Sequence, residues 1–372
     1  MEFYRYGKKK MRLIICGDVS TSKCNDEFLK ENKELLFNDV PRVFEGADRV
    51  LVNIECALTD KDTPIAKKGP NIKASPITAK VLKDIGVTDC GISNNHIFDY
   101  GYPGVNDTIE AITSNGMTVT GFGKDYEDSR KNLIIENDGI KIAIIAVCEH
   151  EYCYALENRP GARPFDPFDT IEDVRNAKKE CDFVVVTYHG GREQSIYPSP
   201  RLLKACRAMI KSGADVVLCQ HSHCIGCYEE FEGGHILYGQ GNFHFTNYDT
   251  EHPHWQSGLI ASLDITDKVA VEFIPVKVVG KGIELAKGKD YEAIMSAFDS
   301  QSQILKCGEW RQHWSRFCQD TKERYAGNIS RAYTENADPA DNELFNGRMH
   351  CEAHKDVIDE LYKHSWEERT EP

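Results

Sequence analysis

Short, mostly apolar runs recur along the chain, and five of them end in polar residues of the kinds that bind metals. Such a run, bounded by turn residues, predicts a buried β-strand. In an open α/β sheet the carboxyl ends of the strands share one edge, so residues far apart in sequence can converge there on one cleft. The runs at 13–16, 50–52, 89–92, 183–186 and 216–218 lead into Asp18, into Asn53 and Glu55, into Asn94, Asn95 and His96, into His189, and into His221 and His223. The pattern predicts an α/β fold with a ligand cluster at the strand ends.

The turn at 93–101 places amides, an imidazole and a carboxylate directly after the third run. His96 and Asp99 lie three residues apart, near enough for the carboxylate to hold the imidazole in one orientation. A purely structural alternative is an Asn that caps the helix predicted over 104–114. The recurrence of similar strand ends elsewhere in the chain favours the functional interpretation.

The rest of the pattern predicts further helices and a second region of different character. Helical patterns fall at 25–36, 77–85 and 200–211, and an apolar hairpin is predicted at 258–264 and 269–279. Trp310, Trp314 and Phe317 occupy positions i, i+4 and i+7 on one helix face, which we expect to pack against the main domain. The predicted division is a main domain over 11–285 and a helical C-terminal extension over 286–372.

The polar clusters together resemble a known family. The set resembles the CapA-like branch of the calcineurin-like metallophosphoesterases, which serves capsule or poly-γ-glutamate synthesis, over roughly residues 11–280. The resemblance implies a two-sheet, four-layer αββα sandwich with a site for one or two metals at the strand ends. Its motifs are Gly17-Asp18, Asn53-Ile54-Glu55, Asn94-Asn95-His96 with Asp99-Tyr100-Gly101, His189-Gly190-Gly191 with Glu193, His221-Ser222-His223 and Gly239-Gln240-Gly241-Asn242-Phe243.

The resemblance also implies roles for individual residues. It gives Asp18 and His223 to one metal, Asn95, His189 and His221 to the other, and Glu55 as the bridge between them. His96 is then left as the general acid, oriented by Asp99. Imidazoles and carboxylates without thiolates suit a borderline divalent ion such as Zn, Mn or Fe.

One position departs from the superfamily pattern, and a further set of residues is expected to contact substrate. A His usually stands two residues after the first Asp, but this chain has Ser20, so the metal nearest Asp18 is expected to bind weakly. The expected substrate contacts are Asn53, Asn94, His150, Arg192, Glu193 and Asn242.

Three reaction types and one role without catalysis fit this site. The first hypothesis is a metal-dependent hydrolase, in which metal-activated water attacks a phosphoester and His96 protonates the leaving oxygen. The same site could instead hydrolyse a γ-glutamyl amide in poly-γ-glutamate biosynthesis, or epimerise a peptide residue. The last alternative is a capsule-assembly factor without catalytic activity.

The net charge of the chain argues against some classes of binding partner. Lys and Arg number 45 against 59 Asp and Glu, and the resulting net charge of −14 argues against nucleic acid or an anionic membrane as the main partner. An anionic small molecule or peptide is expected as substrate, and the oligomeric state stays open. The loop lysines Lys67, Lys68 and Lys73 could face such a substrate, although a solvated loop is the favoured interpretation.

The cysteines and the N-terminal sequence indicate the cellular compartment in which we expect the protein. Many of the 14 cysteines fall in or beside apolar strands, as buried reduced thiols do. The first ten residues are polar and basic and lack the apolar segment of a signal peptide or a membrane span. We therefore expect a cytoplasmic protein with no membrane partner, unlike the membrane-anchored capsule-assembly members of the family.

Overall fold

The computed structural model describes residues 10–67, 69–149, 152–245, 253–332, 334–335 and 337–370. Its strands are β1 (Met11–Ser20), β2 (Arg49–Ile54), β3 (Ala57–Leu58), β4 (Lys73–Ala74), β5 (Asp89–Gly91), β6 (Thr118–Thr120), β7 (Phe122–Gly123), β8 (Leu133–Asn137), β9 (Ile140–Cys148), β10 (Gly161–Ala162), β11 (Phe183–His189), β12 (Val216–Gln220), β13 (Tyr228–Phe231), β14 (Gly234–Leu237), β15 (Asn242–Phe245), β16 (Ser257–Ile265), β17 (Val269–Val279) and β18 (Gly282–Leu285).

The helices lie between the strands of the sandwich and in a C-terminal group. They are α1 (Asp26–Glu31), α2 (Lys33–Phe37), α3 (Ile77–Asp84), α4 (Gly101–Ser114), α5 (Tyr126–Ser129), α6 (Pro167–Glu180), α7 (Pro200–Lys211), α8 (Lys289–Cys307), α9 (Trp310–Ala332), α10 (Pro339–His350) and α11 (Glu352–Thr370), with 3₁₀ turns at Val40–Phe44 and Pro253–Gln256. None of the helices described is both long enough and apolar enough to cross a membrane.

Two mixed sheets form the centre of the fold. The first has the order β18-β17-β16-β1-β2-β5-β6, with β15 also paired to β1. The second has the order β13-β14-β12-β11-β9-β8. In each sheet the central strands run parallel, which brings their carboxyl ends to one edge.

Side-chain alternation along the strands explains the four layers. On β1, Leu13 and Ile15 pack in a core shared with Ile142 and Ile144 of β9, so the two sheets face each other. The intervening Ile14 packs with residues of α1 to α4 on the outer face of the first sheet. On β9, Ala143 and Ile145 pack outward in a core with α6 and α7. Strands buried on both faces read as continuous apolar runs, and the predicted αββα sandwich is confirmed.

Helices α9 and α11 pack on the outer face of the second sheet, whereas Phe298 of α8 is buried in the core between the sheets. Trp310 and Trp314 of α9 are buried in the same core as Val184 and Val186 of β11, with Phe317 partly buried beside them. The aromatic stripe therefore packs as the sequence predicts. The division of the chain at residue 285 stays a prediction.

Two expectations about secondary structure are corrected. The helix predicted over 25–36 is two helices that meet at Asn32, whose side chain makes no capping hydrogen bond to α2. The helix after the central turn begins at Gly101, three residues earlier than predicted. Gly101 has a φ of +61°, a backbone conformation that glycine adopts without the steric cost of a Cβ.

Candidate metal centre

The carboxyl ends of strands from both sheets bring the predicted ligands together. Asp18 lies near the end of β1 and Glu55 directly follows β2, whereas His189 ends β11, and His221 and His223 follow β12. All five are buried. The first sheet supplies β1 and β2 and the second supplies β11 and β12, as the predicted two-sheet sandwich requires. The cluster lies where the ligand-bearing edges of the two sheets meet.

A first ligand group consists of Glu55, His189 and His221. Nε2 of His189 lies 3.3 Å from Oε1 of Glu55 and 3.2 Å from Nδ1 of His221. Oδ1 of Asn95, on the turn between β5 and α4, lies 2.8 Å from the same His189 nitrogen. A carboxylate oxygen, an amide oxygen and two ring nitrogens thus converge, a donor set that suits a borderline divalent ion.

A second ligand group consists of Asp18, Glu55 and His223. Nδ1 of His223 lies 3.9 Å from Oδ2 of Asp18, and its Nε2 lies 3.8 Å from Oε1 of Glu55. The carboxylate of Glu55 therefore belongs to both groups. This is the grouping that the family resemblance implies, and the roles of these residues in binding ions stay predictions.

The surroundings of Glu55 fit a cation. Glu55 is fully buried, and neither of its carboxylate oxygens has a hydrogen-bond partner of normal geometry. Burial disfavours its charged form, yet the imidazoles of His223 and His189 hold its pKa well below the usual range. Burial would likewise lower the pKa of His189, but Glu55 and Asp18 raise it to about 10. The carboxylates of Glu55 and Asp18 thus favour positive charge in this cluster, and a bound metal ion would provide it.

Asparagine side chains hold the ligands in place. Nδ2 of Asn53 donates to Oδ1 of Asp18 at 2.7 Å, and Nδ2 of Asn94 donates to Oδ1 of Asn53 at 3.0 Å. Oδ1 of Asn242 lies 2.8 Å from Nδ1 of His223. All three asparagines are buried and bonded to ligand residues or to one another, so they orient the ligands. The predicted contact of these asparagines with substrate stays a prediction.

The backbone directly after β12 adopts a conformation that residues other than glycine rarely adopt. His221 has a φ of +84° and His223 a φ of +53°. Such positions cluster at functional sites, where the surrounding structure holds them in place.

The indole of Trp255 stacks on the imidazole of His223, with ring centroids 4.3 Å apart and planes at 30°. The sequence pattern does not single out Trp255, which closely follows His252 and His254 along the chain.

His96 and Asp99 form the predicted pair, with a third member. Nδ1 of His96 lies 2.7 Å from Oδ2 of Asp99, which also accepts the backbone N–H of Ile72 at 2.7 Å. The other Asp99 oxygen pairs with the ammonium of Lys67, whose side chain is only 4% exposed. Nζ of Lys67 lies 3.4 Å from Nδ1 of His96. The carboxylate thus holds both the imidazole and a buried cation.

The favoured interpretation of the loop lysines as solvated is wrong for Lys67. A buried ammonium needs a carboxylate partner, and Lys67 finds one 32 positions further along the chain. No local sequence signal marks such a long-range pair. Lys73 is partly exposed and donates to the backbone carbonyl of Lys61 at 2.7 Å, and Lys68 lies outside the described residues.

Ser20 is buried on β1 close to the second group and adds no nitrogen ligand there. Its hydroxyl contacts the thiol of Cys56. The nearby His244 does not belong to either group, since its Nε2 lies 3.1 Å from the carbonyl oxygen of Lys281 and its ring lies against Phe37. Within the described residues the second group therefore has one imidazole, whereas the first has two.

The remaining predicted substrate contacts lie on the loop after β11 or outside the described residues. Arg192 is buried, with Nη1 3.5 Å from Oε2 of Glu193, and it bonds to Tyr325 of α9. The carboxylate of Glu193, on a side chain 42% exposed, is within electrostatic reach of His221. His150 lies outside the described residues.

Comparison with known proteins decides the family. Residues 12–247 match the family described as "Bacterial capsule synthesis protein PGA_cap". The chain belongs to this family. The match includes every residue of both ligand groups and ends before β16, so α8 to α11 lie beyond it.

Named relatives agree with the family. The "PGA biosynthesis protein CapA" of Bacillus subtilis is 30% identical over 245 residues, covering 64% of each chain. The "Capsule biosynthesis protein CapA" of Bacillus anthracis is 29% identical over 248 residues, covering 64% of this chain and 60% of the relative. The chain thus matches less than two thirds of the length of these relatives.

One solved structure is a more distant match. A Staphylococcus aureus protein described as a candidate 5'-nucleotidase, in complex with α-ketoglutarate, aligns with a TM-score of 0.46 and 13% identity over 78% of this chain and 58% of that one. At that TM-score the match adds nothing to the fold described above.

Proposed function

We propose that this chain is a metal-dependent hydrolase that cleaves a phosphoester. The observation that carries the proposal is the buried carboxylate of Glu55, which is shared by two ligand groups and has no hydrogen-bond partner of normal geometry. Two metals that share one carboxylate are a common arrangement in phosphoester hydrolysis. In this proposal Glu55, His189, His221 and Asn95 hold a tight ion, and Asp18, Glu55 and His223 hold a weaker one.

The donor set suits Zn, Mn or Fe. When bound, such an ion would act as a Lewis acid, polarising the substrate and lowering the pKa of bound water. The chain's own residues orient the ligands and move a proton. Asn53 fixes Asp18, and Asn242 fixes the ring of His223. Because Asp99 engages Nδ1 of His96, Nε2 is the nitrogen left to protonate a leaving oxygen. Lys67 secures the other oxygen of Asp99 and so fixes the carboxylate.

A second candidate reaction is hydrolysis of a γ-glutamyl amide at the same ligand groups. The names of the Bacillus relatives, which refer to capsule and PGA biosynthesis, favour it. A hydrolase acting on the polymer or on a precursor would have a place in that process. A noncatalytic accessory role is a third candidate. It is suggested by the name of a Mycobacterium tuberculosis relative, the "Probable polyglutamine synthesis accessory protein Rv0574c". That relative is 24% identical over 275 residues, which cover 68% of this chain and 72% of the relative.

Metal analysis followed by a substrate screen tests the proposal. Full-length protein and its His189→Ala variant would be assayed with phosphomonoesters, phosphodiesters and γ-glutamyl peptides after loading with Zn, Mn or Fe. We expect wild-type protein to bind metal and hydrolyse a phosphoester, and the variant to lose both properties. Hydrolysis of γ-glutamyl peptides alone would move the assignment to the second candidate. Binding of metal without turnover of any substrate would favour the accessory role.

A further inference from the structure

A buried basic cluster lies between the loop after β11 and the C-terminal helices. Arg348 of α10 is 5% exposed, and its guanidinium carbon lies 4.6 Å from the ring centroid of Tyr325. Nη1 of Arg348 lies 3.3 Å from Nδ1 of His354 in α11, and the Tyr325 hydroxyl lies 2.6 Å from the same nitrogen. Arg192 adds a second buried guanidinium, bonded to Tyr325. Three helices and one loop thus build a single enclosed cluster.

No carboxylate in the described part of the chain pairs with Arg348. Among the ion pairs of the described residues none includes Arg348, and its Nε is buried without a hydrogen-bond partner. Burial lowers the pKa of Arg348, and the neighbouring charge of Arg192 acts in the same direction. A buried guanidinium without a carboxylate is costly, so proteins keep such an arrangement where an anion binds.

The cluster is close to the ligand groups. The carboxylate of Glu193 is within electrostatic reach of Arg192 and His354 of the cluster and also of the ligands His221 and His223. His354 is likewise within electrostatic reach of His221. The region that matches the family ends at residue 247, so Tyr325, Arg348 and His354 belong to a part of the chain beyond it.

We propose that Arg348 and Arg192 form an anion subsite beside the metal centre, in which the C-terminal helices bind a carboxylate or phosphate of the substrate. This inference rests on the proposed function and specifies its substrate class. In this proposal the bond that is cleaved lies at the metal centre. A second anionic group of the same substrate binds to the two guanidinium groups. Bidentate bonds from a guanidinium suit both carboxylate and phosphate.

Anion binding by the full-length chain, as purified and after metal removal with a chelator, tests the proposal. The probes are inorganic phosphate and γ-glutamyl-glutamate, and the variants are Arg348→Met, Arg348→Lys and the exposed control Arg316→Met on α9. We expect Arg348→Met to weaken binding of at least one probe tenfold or more in metal-free protein. Arg348→Lys should weaken it less, and Arg316→Met should change it less than twofold. The probe that responds distinguishes a phosphate from a carboxylate subsite.

The melting temperature provides a second measurement. If Arg348 serves a ligand, Arg348→Met removes an uncompensated buried charge, and the ligand-free variant melts no lower than wild type. Unchanged affinity for both probes in Arg348→Met, or no binding of either by wild type at 10 mM, would overturn the subsite. Normal anion binding by a protein that hydrolyses nothing would leave the subsite standing and overturn the proposed function instead. If Arg348→Met fails to fold, the Arg348→Lys measurement decides.

Discussion

The strand-end metal centre and the C-terminal helices adjoin each other but are built in different ways. The metal centre is a buried polar network in which asparagine amides bond to the ligand residues, while the carboxylate of Glu55 has no hydrogen-bond partner of normal geometry. The C-terminal helices are attached by apolar burial of Trp310 and Trp314 and by the pairing of Asp356 with Arg201. Substitutions of the metal ligands should therefore alter metal content and turnover, whereas substitutions in the apolar contact of the C-terminal helices should alter stability first.

The largest expected effect is that of His221→Ala, which removes a nitrogen from the first ligand group. We expect loss of the tight metal and a fall in turnover of at least a thousandfold, because the ion's Lewis acidity is lost. Metal content by mass spectrometry and the rate on a phosphodiester check both. The matched control is His235→Ala, since His235 bonds to Tyr228 on β13 and belongs to neither ligand group. Full metal in His221→Ala would show that the ligands lie elsewhere.

His96→Ala should spare the metal and slow turnover by about 10²- to 10⁴-fold, the usual contribution of a general acid. The loss should be far greater for an alkyl phosphoester than for an aryl ester with an acidic phenol, because a poor leaving group needs the proton. Rates on the two esters at equal metal content measure the difference. Equal losses on both would place His96 in substrate or metal binding.

Asp99→Asn would remove the carboxylate that orients His96, but this is not the only effect expected of it. The substitution would also leave the buried Lys67 without its carboxylate. The double variant Asp99→Asn, Lys67→Met is the better test of orientation. We expect it to keep the fold and to lose less activity than His96→Ala, since the proton donor remains.

Within the C-terminal helices, Trp314→Ala should destabilise the protein by about 3–5 kcal/mol, as a large cavity in a core does. Trp314 is 1% exposed and stacks on Phe317 with ring centroids 5.9 Å apart. Urea unfolding measures the change, with Tyr291→Ala as control because Tyr291 of α8 is exposed. Metal content per folded molecule should stay at the wild-type value. A change below about 1 kcal/mol would show that the α9 face contributes little to folding.

The smallest effect concerns pH. Burial raises the pKa of Asp356 to about 6, although Arg201 opposes the shift, whereas an unfolded Asp titrates near 3.9. The folded state therefore binds the extra proton, and this contribution to stability is present below about pH 4 and lost as the pH rises through about 6. Relative to Asp356→Asn, wild type should lose about 1–3 kcal/mol of unfolding free energy between pH 3.5 and 7.

The exposed Asp359 of the same helix, paired with Lys355, provides the control for that titration. Asp359→Asn should leave the slope of stability against pH unchanged. If wild type instead gains stability over Asp356→Asn as the pH rises, attraction to Arg201 exceeds the cost of burial.

The sequence predicts much of the sandwich and of the ligand set, because strands buried on both faces are apolar runs and each ligand directly follows such a run. It misses what depends on tertiary contacts. Lys67 looked solvated because nothing near it in sequence marks Asp99 as its partner. The division of the strands between two sheets came from the family resemblance, because the apolar pattern of a single strand does not contain its pairing.

The basic cluster escaped prediction for a related reason. Tyr325, Arg348 and His354 lie on three different helices, and each alone resembles an ordinary surface residue of a helix. His354 and His350 are four apart, yet Cys351 separates their helices, so they do not share a helix face. Only the packing of α9, α10 and α11 against the loop that carries Arg192 brings the cluster together.

The central claim is that Glu55 is shared by two metal sites, and metal titration of Glu55→Gln tests it most directly. Wild-type protein should bind one ion tightly and a second weakly, since the second group has Ser20 where a His is expected. His189→Ala should weaken mainly the first ion and His223→Ala mainly the second, whereas Glu55→Gln should weaken both. Two ions bound by Glu55→Gln with wild-type affinity, or no metal in the wild-type protein, would contradict the claim.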